Sequence, residues 1–216
     1  MCFHFKQTKT EGSFRLQKIG GTPITGVFNG FTFPKVSCVT SDDPYNISNF
    51  NWGLIPHWAK DMKIGYRMIN ARGETLTQKP SFSTAFKIRR CLIAADGFYE
   101  WKGTGKIKQP YYMQIQEEDI FGFAGLWESW LGPEGDIIES CTIITTSPNE
   151  LVKQVHDRMP AILPPDHYGT WLQNSSPLES LQKLLVPYPA DKIKMYKVST
   201  EVNNPQNDQA TCLVPV

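Results

Sequence analysis

Cys2 follows Met1 directly, and a side chain that small lets an initiator methionine be removed. The processed chain would begin with a 1,2-aminothiol, a free α-amine and a thiol on adjacent carbons. An unperturbed α-amine has a pKa of about 7.7–8.0 and a thiol about 8.5, so near neutral pH a fraction of each is nucleophilic. No internal position offers that pair. A second-residue cysteine without a role is the competing reading, so the weight falls on what other groups the chain supplies. His4 would stand third in the processed chain, where a histidine can wrap Cu(II) or Ni(II) with the free amine. A start bound in a strand forbids that wrapping, and neither a metal nor a cofactor is expected.

Three further segments carry polar groups in apolar settings. In Met68-Ile-Asn-Ala-Arg-Gly-Glu-Thr75 an apolar strand ends in Asn70, with Arg72 and Glu74 two and four residues on. Continued extended geometry would put all three on one side. An amide beside a guanidinium suits an anionic, oxygen-rich ligand, with Arg72 pairing to phosphate. A turn asparagine and a surface Arg72–Glu74 pair account for the same spacing without a ligand. In Asp96-Gly-Phe-Tyr-Glu-Trp101, Glu100 shares a side with Phe98. A carboxylate among aromatic rings loses solvation, which raises its pKa toward the range useful for proton transfer; an outward-facing glutamate is the alternative. His156, in Val155-His-Asp-Arg-Met-Pro160, falls at the expected C-terminus of a helix, where the dipole favours the protonated ring whether it caps or catalyses. Trp52 and Trp58, in Phe50-Asn-Trp-Gly-Leu-Ile-Pro-His-Trp58, suit either a platform for unpaired bases or a packed core corner.

The elements that must position these groups read mostly as strands. Cys91–Ala95, Gly97–Trp101, Tyr111–Gln116, Phe121–Trp130 and Cys141–Thr145 are separated by Gly and Pro turns, and the first hundred residues hold short strands broken at Gly20-Gly21, Asn29-Gly30 and Asp42-Asp43-Pro44. Runs of this length argue hairpins rather than βαβ crossovers. Ser147-Pro-Asn-Glu150 and Ser176-Pro-Leu-Glu179 each have the form of a capping box with proline in the first turn, predicting helices from about 147 to 156 and from 176. A shorter helix is expected from Pro80 to about Lys87. The fold class is therefore α+β in a single domain of 216 residues, a mostly antiparallel, strongly curved, barrel-like β core with peripheral helices.

Composition bounds the partners. With 40% apolar and 20% charged residues, no long apolar run and no signal-peptide pattern, a soluble cytoplasmic protein without a membrane partner is expected. Five cysteines without a C-x-x-C spacing indicate neither a disulfide framework nor a zinc knuckle. Net charge is only +1, yet residues 60–90 hold eight Lys and Arg against Asp61 and Glu74. A basic segment on a mildly acidic body is the footprint of a local anion-binding face, or a solvated surface.

Taken in order, Met1-Cys2, Trp52-Gly-Leu-Ile-Pro-x-Trp58, Asn70-Ala-Arg-x-Glu-Thr75, Gly97-Phe-Tyr-Glu-Trp101, Thr145-Thr146 and His156-Asp-Arg-Met-Pro160 closely resemble the SRAP family of abasic-site-processing proteins, over nearly the whole chain. The resemblance implies a partner, single-stranded DNA containing an abasic site, and a monomer acting at the nucleoid. It also implies a reaction. The Cys2 amine condenses with the C1′ aldehyde of the opened deoxyribose, and the thiol closes on the same carbon to a thiazolidine, a crosslink that shields the lesion. Glu100 and His156 would move protons for ring opening, imine formation and reversal, and Asn70 would orient the amine or sugar. Arg72 and Arg158 would grip phosphates, while Trp52 and Pro34 would pack against unstacked bases. Many members begin Met-Cys-Gly-Arg; here Phe3-His4 follow Cys2, and the aldehyde chemistry needs neither Gly nor Arg. Members are also described as peptidases, and thiol-driven self-removal of residues ahead of Cys2 is chemically conceivable. Two readings from other classes stand beside this one. An N-terminal-nucleophile amidohydrolase would also start at cysteine, though its Asn-His-Asn-Gly segment is not in the sequence. A non-catalytic single-strand-binding module would use Arg72 and the aromatics without Glu100 or His156.

Overall fold

The computed structural model describes residues 4–7, 13–14, 17–18, 26–27, 34–103, 108–204, 207 and 210–216. The turns expected at Gly20-Gly21 and Asn29-Gly30 lie outside them, as does most of the turn at Gly103. The described strands are β1 (His4–Lys6), β2 (Ser13–Phe14), β3 (Gln17–Lys18), β4 (Gly26–Val27), β5 (Lys35–Thr40), β6 (Ile47–Trp52), β7 (Asn70–Arg72), β8 (Arg90–Ala95), β9 (Gly97–Lys102) and β10 (Gln109–Ile115). There follow β11 (Phe121–Leu131), β12 (Ile137–Thr146), β13 (Met159–Pro160), β14 (Ile162–Leu163) and β15 (Ile193–Lys197), and three helices, α1 (Pro80–Ile88), α2 (Tyr168–Leu172) and α3 (Leu178–Lys183).

One sheet, β15-β10-β9-β1-β4, is antiparallel throughout. A larger one runs β13-β12-β6-β5-β8-β11-β14, and β11 also pairs with β12, so β12, β6, β5, β8 and β11 close into a ring. The result is an α+β fold with a large mixed sheet and few helices. The hairpin expectation holds for β5–β6, β9–β10 and β11–β12. It fails for β8 and β9, which follow each other in sequence but enter different sheets. It also misses two parallel pairings, β12 with β6 and β12 with β7.

Side-chain alternation builds two cores. All six residues of β8 are buried. Cys91, Ile93 and Ala95 join a cluster to which all five ring strands contribute, the interior of the ring. Leu92 and Ala94 face outward into a second cluster with Phe82, Ala85 and Phe86 of α1 and Trp171 and Leu172 of α2. A strand covered on both faces reads as a continuous apolar run rather than an alternating one. Cys38, Cys91, Cys141 and Cys212 are free and buried thiols.

α1 starts at Pro80 as the sequence predicts, and the two serine-capped helices depart from their expected starts. Around Ser147 no α-helix forms. Asn149 Oδ1, not Ser147, accepts from the Val152 amide at 2.8 Å, and only a 3-10 turn, Val152–Gln154, follows. Asn149 Nδ2 also donates to Tyr188 O at 2.7 Å, so tertiary contacts draw the segment away from a regular helix. At the second site Ser176 Oγ donates to Thr170 O, and α3 starts at Leu178 without a side-chain cap.

The basic segment is also less exposed than its composition suggests. Arg90 is fully buried, donating to Phe86 O and Lys87 O at the end of α1, to Trp171 O in α2, and to Gln173 O and Asn174 Oδ1 just beyond it. One guanidinium thus satisfies carbonyls that two helix ends leave unpaired and offsets both dipoles. Arg89 Nε lies 2.6 Å from the buried carboxylate of Glu128. Lys60, Lys63, Arg67, Arg72, Lys79 and Lys87 remain exposed. Among the described residues no helix is long and apolar enough to cross a membrane. Arg90→Met should cost about 3–5 kcal/mol of stability by urea denaturation, because it strands buried carbonyls.

Candidate active site

The site is assembled where three segments meet at β12. Thr145 pairs with Arg72 of β7 on one edge of that strand and with Pro160 of β13 on the other. Asn70, the first residue of β7, pairs with Ile143. The Asn70–Arg72 segment and the His156–Pro160 segment are therefore held on opposite edges of one end of β12, with Thr145 paired to both. β9 brings the third component from the other sheet.

Glu100 is 1% exposed, which excludes the outward-facing alternative. It lies on the Phe98 side of β9, where Phe98 and Met113 join the inner core, while Tyr99 and Tyr112 face the C-terminal segment with Val202 and Cys212. Trp101 Nε1 donates to Asn203 Oδ1 at 2.6 Å, so residues near the C-terminus brace the strand from behind. Burial raises the Glu100 pKa to about 8, and the nearby Asp157 charge pushes the same way.

His156 Nε2 sits 3.9 Å from Glu100 Oε2. Its Nδ1 receives the Arg158 backbone N–H at 3.0 Å and lies 3.1 Å from Asp157 Oδ1. Nδ1 also lies 3.2 Å from Arg158 O, so the Arg158 N–H donates to it in one tautomer and the Arg158 and Asp157 oxygens accept from it in the other, while Nε2 faces Glu100 in both. The imidazole is no helix cap. Its pKa is lowered, chiefly by burial, which reverses the direction expected from a helix dipole. Its side chain keeps 26% exposure, so the pair can be reached from solvent. Near neutral pH a protonated carboxyl thus faces a neutral imidazole, an arrangement able to give and take a proton at one atom in the gap.

The other expected residues are distributed unevenly. Arg72 is exposed at the end of β7. Glu74 does not continue the strand beside it, because the chain turns at Gly73–Thr75, and its carboxylate instead holds Arg158. Pro34 is half-buried, and its carbonyl accepts from the Trp52 amide at 2.8 Å. Trp52 is fully buried, its indole N–H donating to Ile69 O at 2.8 Å and its ring edge-on to Phe5 at 4.9 Å. The expectation that it stacks on a base is corrected to the core-corner reading: it is a wall behind Asn70, while Trp58 is the half-exposed tryptophan of that segment. Cys2 lies outside the described residues. The chain that carries it enters through β1, where His4 pairs with Tyr99, the neighbour of Glu100. Among the described residues no cluster of His, Cys, Asp and Glu can hold a metal ion.

Two contacts escaped the sequence reading. The Glu74–Arg158 pair spans 84 residues and left no local signal. Asp157 sits beside His156 in sequence and was visible only as an unassigned neighbour.

The family model of the SOS response associated peptidase (SRAP) matches residues 1–205, and the chain belongs to that family. Among its relatives, abasic site processing protein YoaM of Bacillus subtilis is 51% identical over 183 residues, covering 83% of this chain and 80% of that protein. Abasic site processing protein HMCES of Xenopus tropicalis is 35% identical over 194 residues, 79% of this chain but 57% of the longer relative. A crystal structure of a Bacteroides thetaiotaomicron protein superposes with a TM-score of 0.79 at 30% identity, over 96% of this chain and 97% of that one.

The carboxyl's position has a measurable stability cost. Unfolded, Glu100 titrates near 4.5; folded, near 8. Between those values the folded state holds a proton that the unfolded state has lost, so this contribution is favourable below about 4.5 and is lost as pH rises through 8. Glu100→Gln should therefore be more stable than wild type at pH 9, by on the order of a few kcal/mol, and equal to it at pH 4. Urea denaturation at the two pH values is the measurement, and a variant no more stable at pH 9 would contradict the assigned environment.

Proposed function

We propose that this protein processes abasic sites in single-stranded DNA by forming a covalent crosslink through Cys2 once Met1 is gone. The observation that carries this reading is the Glu100–His156 pair, a proton-holding carboxyl 3.9 Å from a neutral imidazole beside the strand that leads to Cys2. The names of the relatives point to the same substrate.

The chemistry balances with these groups alone. The neutral Cys2 amine adds to the C1′ aldehyde, forming a C–N bond and a carbinolamine. Glu100 protonates the departing hydroxyl, which leaves as water, and the nitrogen gives its proton to the neutral imidazole of His156, leaving the imine; His156 then returns that proton to Glu100. The thiol then adds across C=N, its sulfur bonding to C1′ and its proton passing to nitrogen, to close the thiazolidine. The product is one water lighter than protein plus DNA. Glu100 and His156 also serve the earlier opening of the deoxyribose, one donating to the ring oxygen as the other accepts from the C1′ hydroxyl. Asn70 orients the amine or the sugar. Arg72, exposed and at the edge of the site, supplies a phosphate contact, and Arg158 a second one.

Incubation of the purified protein with an oligonucleotide bearing one abasic site should yield a denaturant-stable adduct one water lighter than its parts, with Met1 absent. Cys2→Ala should form none. An alanine variant that crosslinks as well as wild type would remove the mechanism, and tight binding with no adduct in either would leave only a single-strand-binding module. Arg72→Glu should weaken DNA binding and flatten its dependence on salt by about one unit of slope, because one phosphate contact is lost.

A further inference from the structure

The two arginines at the site are held very differently. Arg72 projects into solvent. Arg158 donates from Nη1 to Glu74 Oε1 at 2.7 Å and from Nη2 to Glu74 Oε2 at 2.9 Å, and Nη2 also reaches Thr145 O at 2.6 Å. A fork-to-fork pair of this kind fixes direction as well as distance. The Arg158 side chain is 16% exposed and the Glu74 side chain 53%, so the fork is shielded on the arginine side and open to water on the carboxylate side. Arg158 pulls the Glu74 carboxyl below its usual range, which keeps the pair charged.

Each end of the pair is anchored to a catalytic segment. Glu74 follows β7, which carries Asn70 and Arg72. Its turn is pressed onto β12, where a side chain at Gly73 would meet Thr145 O at 3.3 Å, and Gln182 Nε2 holds Gly73 O at 2.9 Å. Thr145 Oγ1 also donates to Ala71 O in β7, just ahead of that turn. At the other end, the backbone N–H and C=O of Arg158 lie 3.0 and 3.2 Å from Nδ1 of His156. The titratable and charged groups around that ring are Glu100, Asp157 and Lys108.

We propose that Glu74 is a positioning residue: by clamping Arg158 it holds the His156–Arg158 turn against β12 and so fixes the ring of His156, with Nε2 toward Glu100. This deepens the reaction proposed above and rests on it for its kinetic part only. Without the clamp the Arg158 amide drifts from Nδ1, and the ring is free to choose its tautomer and angle. Displacements of this size can cost about tenfold to a hundredfold in rate.

The test uses Glu74→Gln and Arg158→Lys in the full chain. Glu74 is half-exposed, so its replacement should fold normally. In wild type the imidazole nitrogens, read by long-range 15N NMR without DNA, should show one dominant tautomer, held by the contacts of Nδ1 with Arg158 and Asp157. Glu74→Gln should give a mixture of tautomers, Arg158→Lys should do the same, and the double variant should add nothing further. Crosslink formation with an abasic oligonucleotide should slow by about tenfold or more in Glu74→Gln, with affinity for intact single strands held or raised. An unchanged ring in Glu74→Gln overturns the proposal whatever happens with DNA. A changed ring with an unchanged rate overturns the part of it that concerns the reaction. If wild type itself forms no crosslink, the reading of the function fails, and the ring measurement still decides the role of Glu74.

Discussion

β12 is the strand on which everything else is hung. Along one edge it pairs with β11 and then β13, and along the other with β6 and then β7. Its backbone amides and carbonyls leave little choice of register, since buried backbone groups must be paired. The pairing with β11 and β6 closes the ring. The pairing with β7 and β13 places Asn70 and the segment after His156 at the same end of that ring. Fold and site are thus consequences of a single ladder, and Thr145 is where they meet: its neighbours are Arg72 and Pro160, its carbonyl accepts from Arg158, and its hydroxyl reaches Ala71 O.

The second constraint is dielectric. Burial acts on Glu100 and His156 together, and because it disfavours charge on both, it raises one pKa and lowers the other. Two groups that would be a carboxylate and a partly protonated imidazole in water become a neutral acid and a neutral base side by side. The same apolar wall supplies this environment and the packing. Phe5 stands edge-on to Trp52 at 4.9 Å and to Phe123 at 5.6 Å, and pairs with Phe98 across the strands. The β1 strand leading from Cys2 is therefore seated on the same side of β9 as Phe98 and Glu100, through Phe5.

Much of this was legible in the residues. The strands from Cys91 to Thr145 and the helix at Pro80 follow from local pattern. The environment of Glu100 follows from an acidic residue among aromatics. What was not legible depends on partners far away in sequence. Arg90 and Arg89 look like members of a basic face until two helix ends and Glu128 claim them. Trp52 looks like a stacking platform until Ile69 and Phe5 enclose it. Ser147 and Ser176 have the spacing of capping boxes, but the chain around them is held by Tyr188 O and Thr170 O, and tertiary bonds override a local preference worth about 1 kcal/mol. Arg158 was legible as a charge, and its pairing with Glu74 was not.

That pairing bears on why the site needs two arginines. A guanidinium free in solvent is drawn to any phosphate, but it holds no fixed direction. One locked to a carboxylate and a backbone carbonyl is well directed and partly neutralised, so it attracts DNA less. Arg72 and Arg158 divide these properties between them. In the proposed reaction an approaching strand would be captured first by the exposed charge, and only a strand already seated would bring its phosphate close enough to share the clamped one. The lesion would then lie against His156, because the clamp and the imidazole belong to one three-residue turn. Affinity and alignment come from different side chains, so weakening the first need not disturb the second.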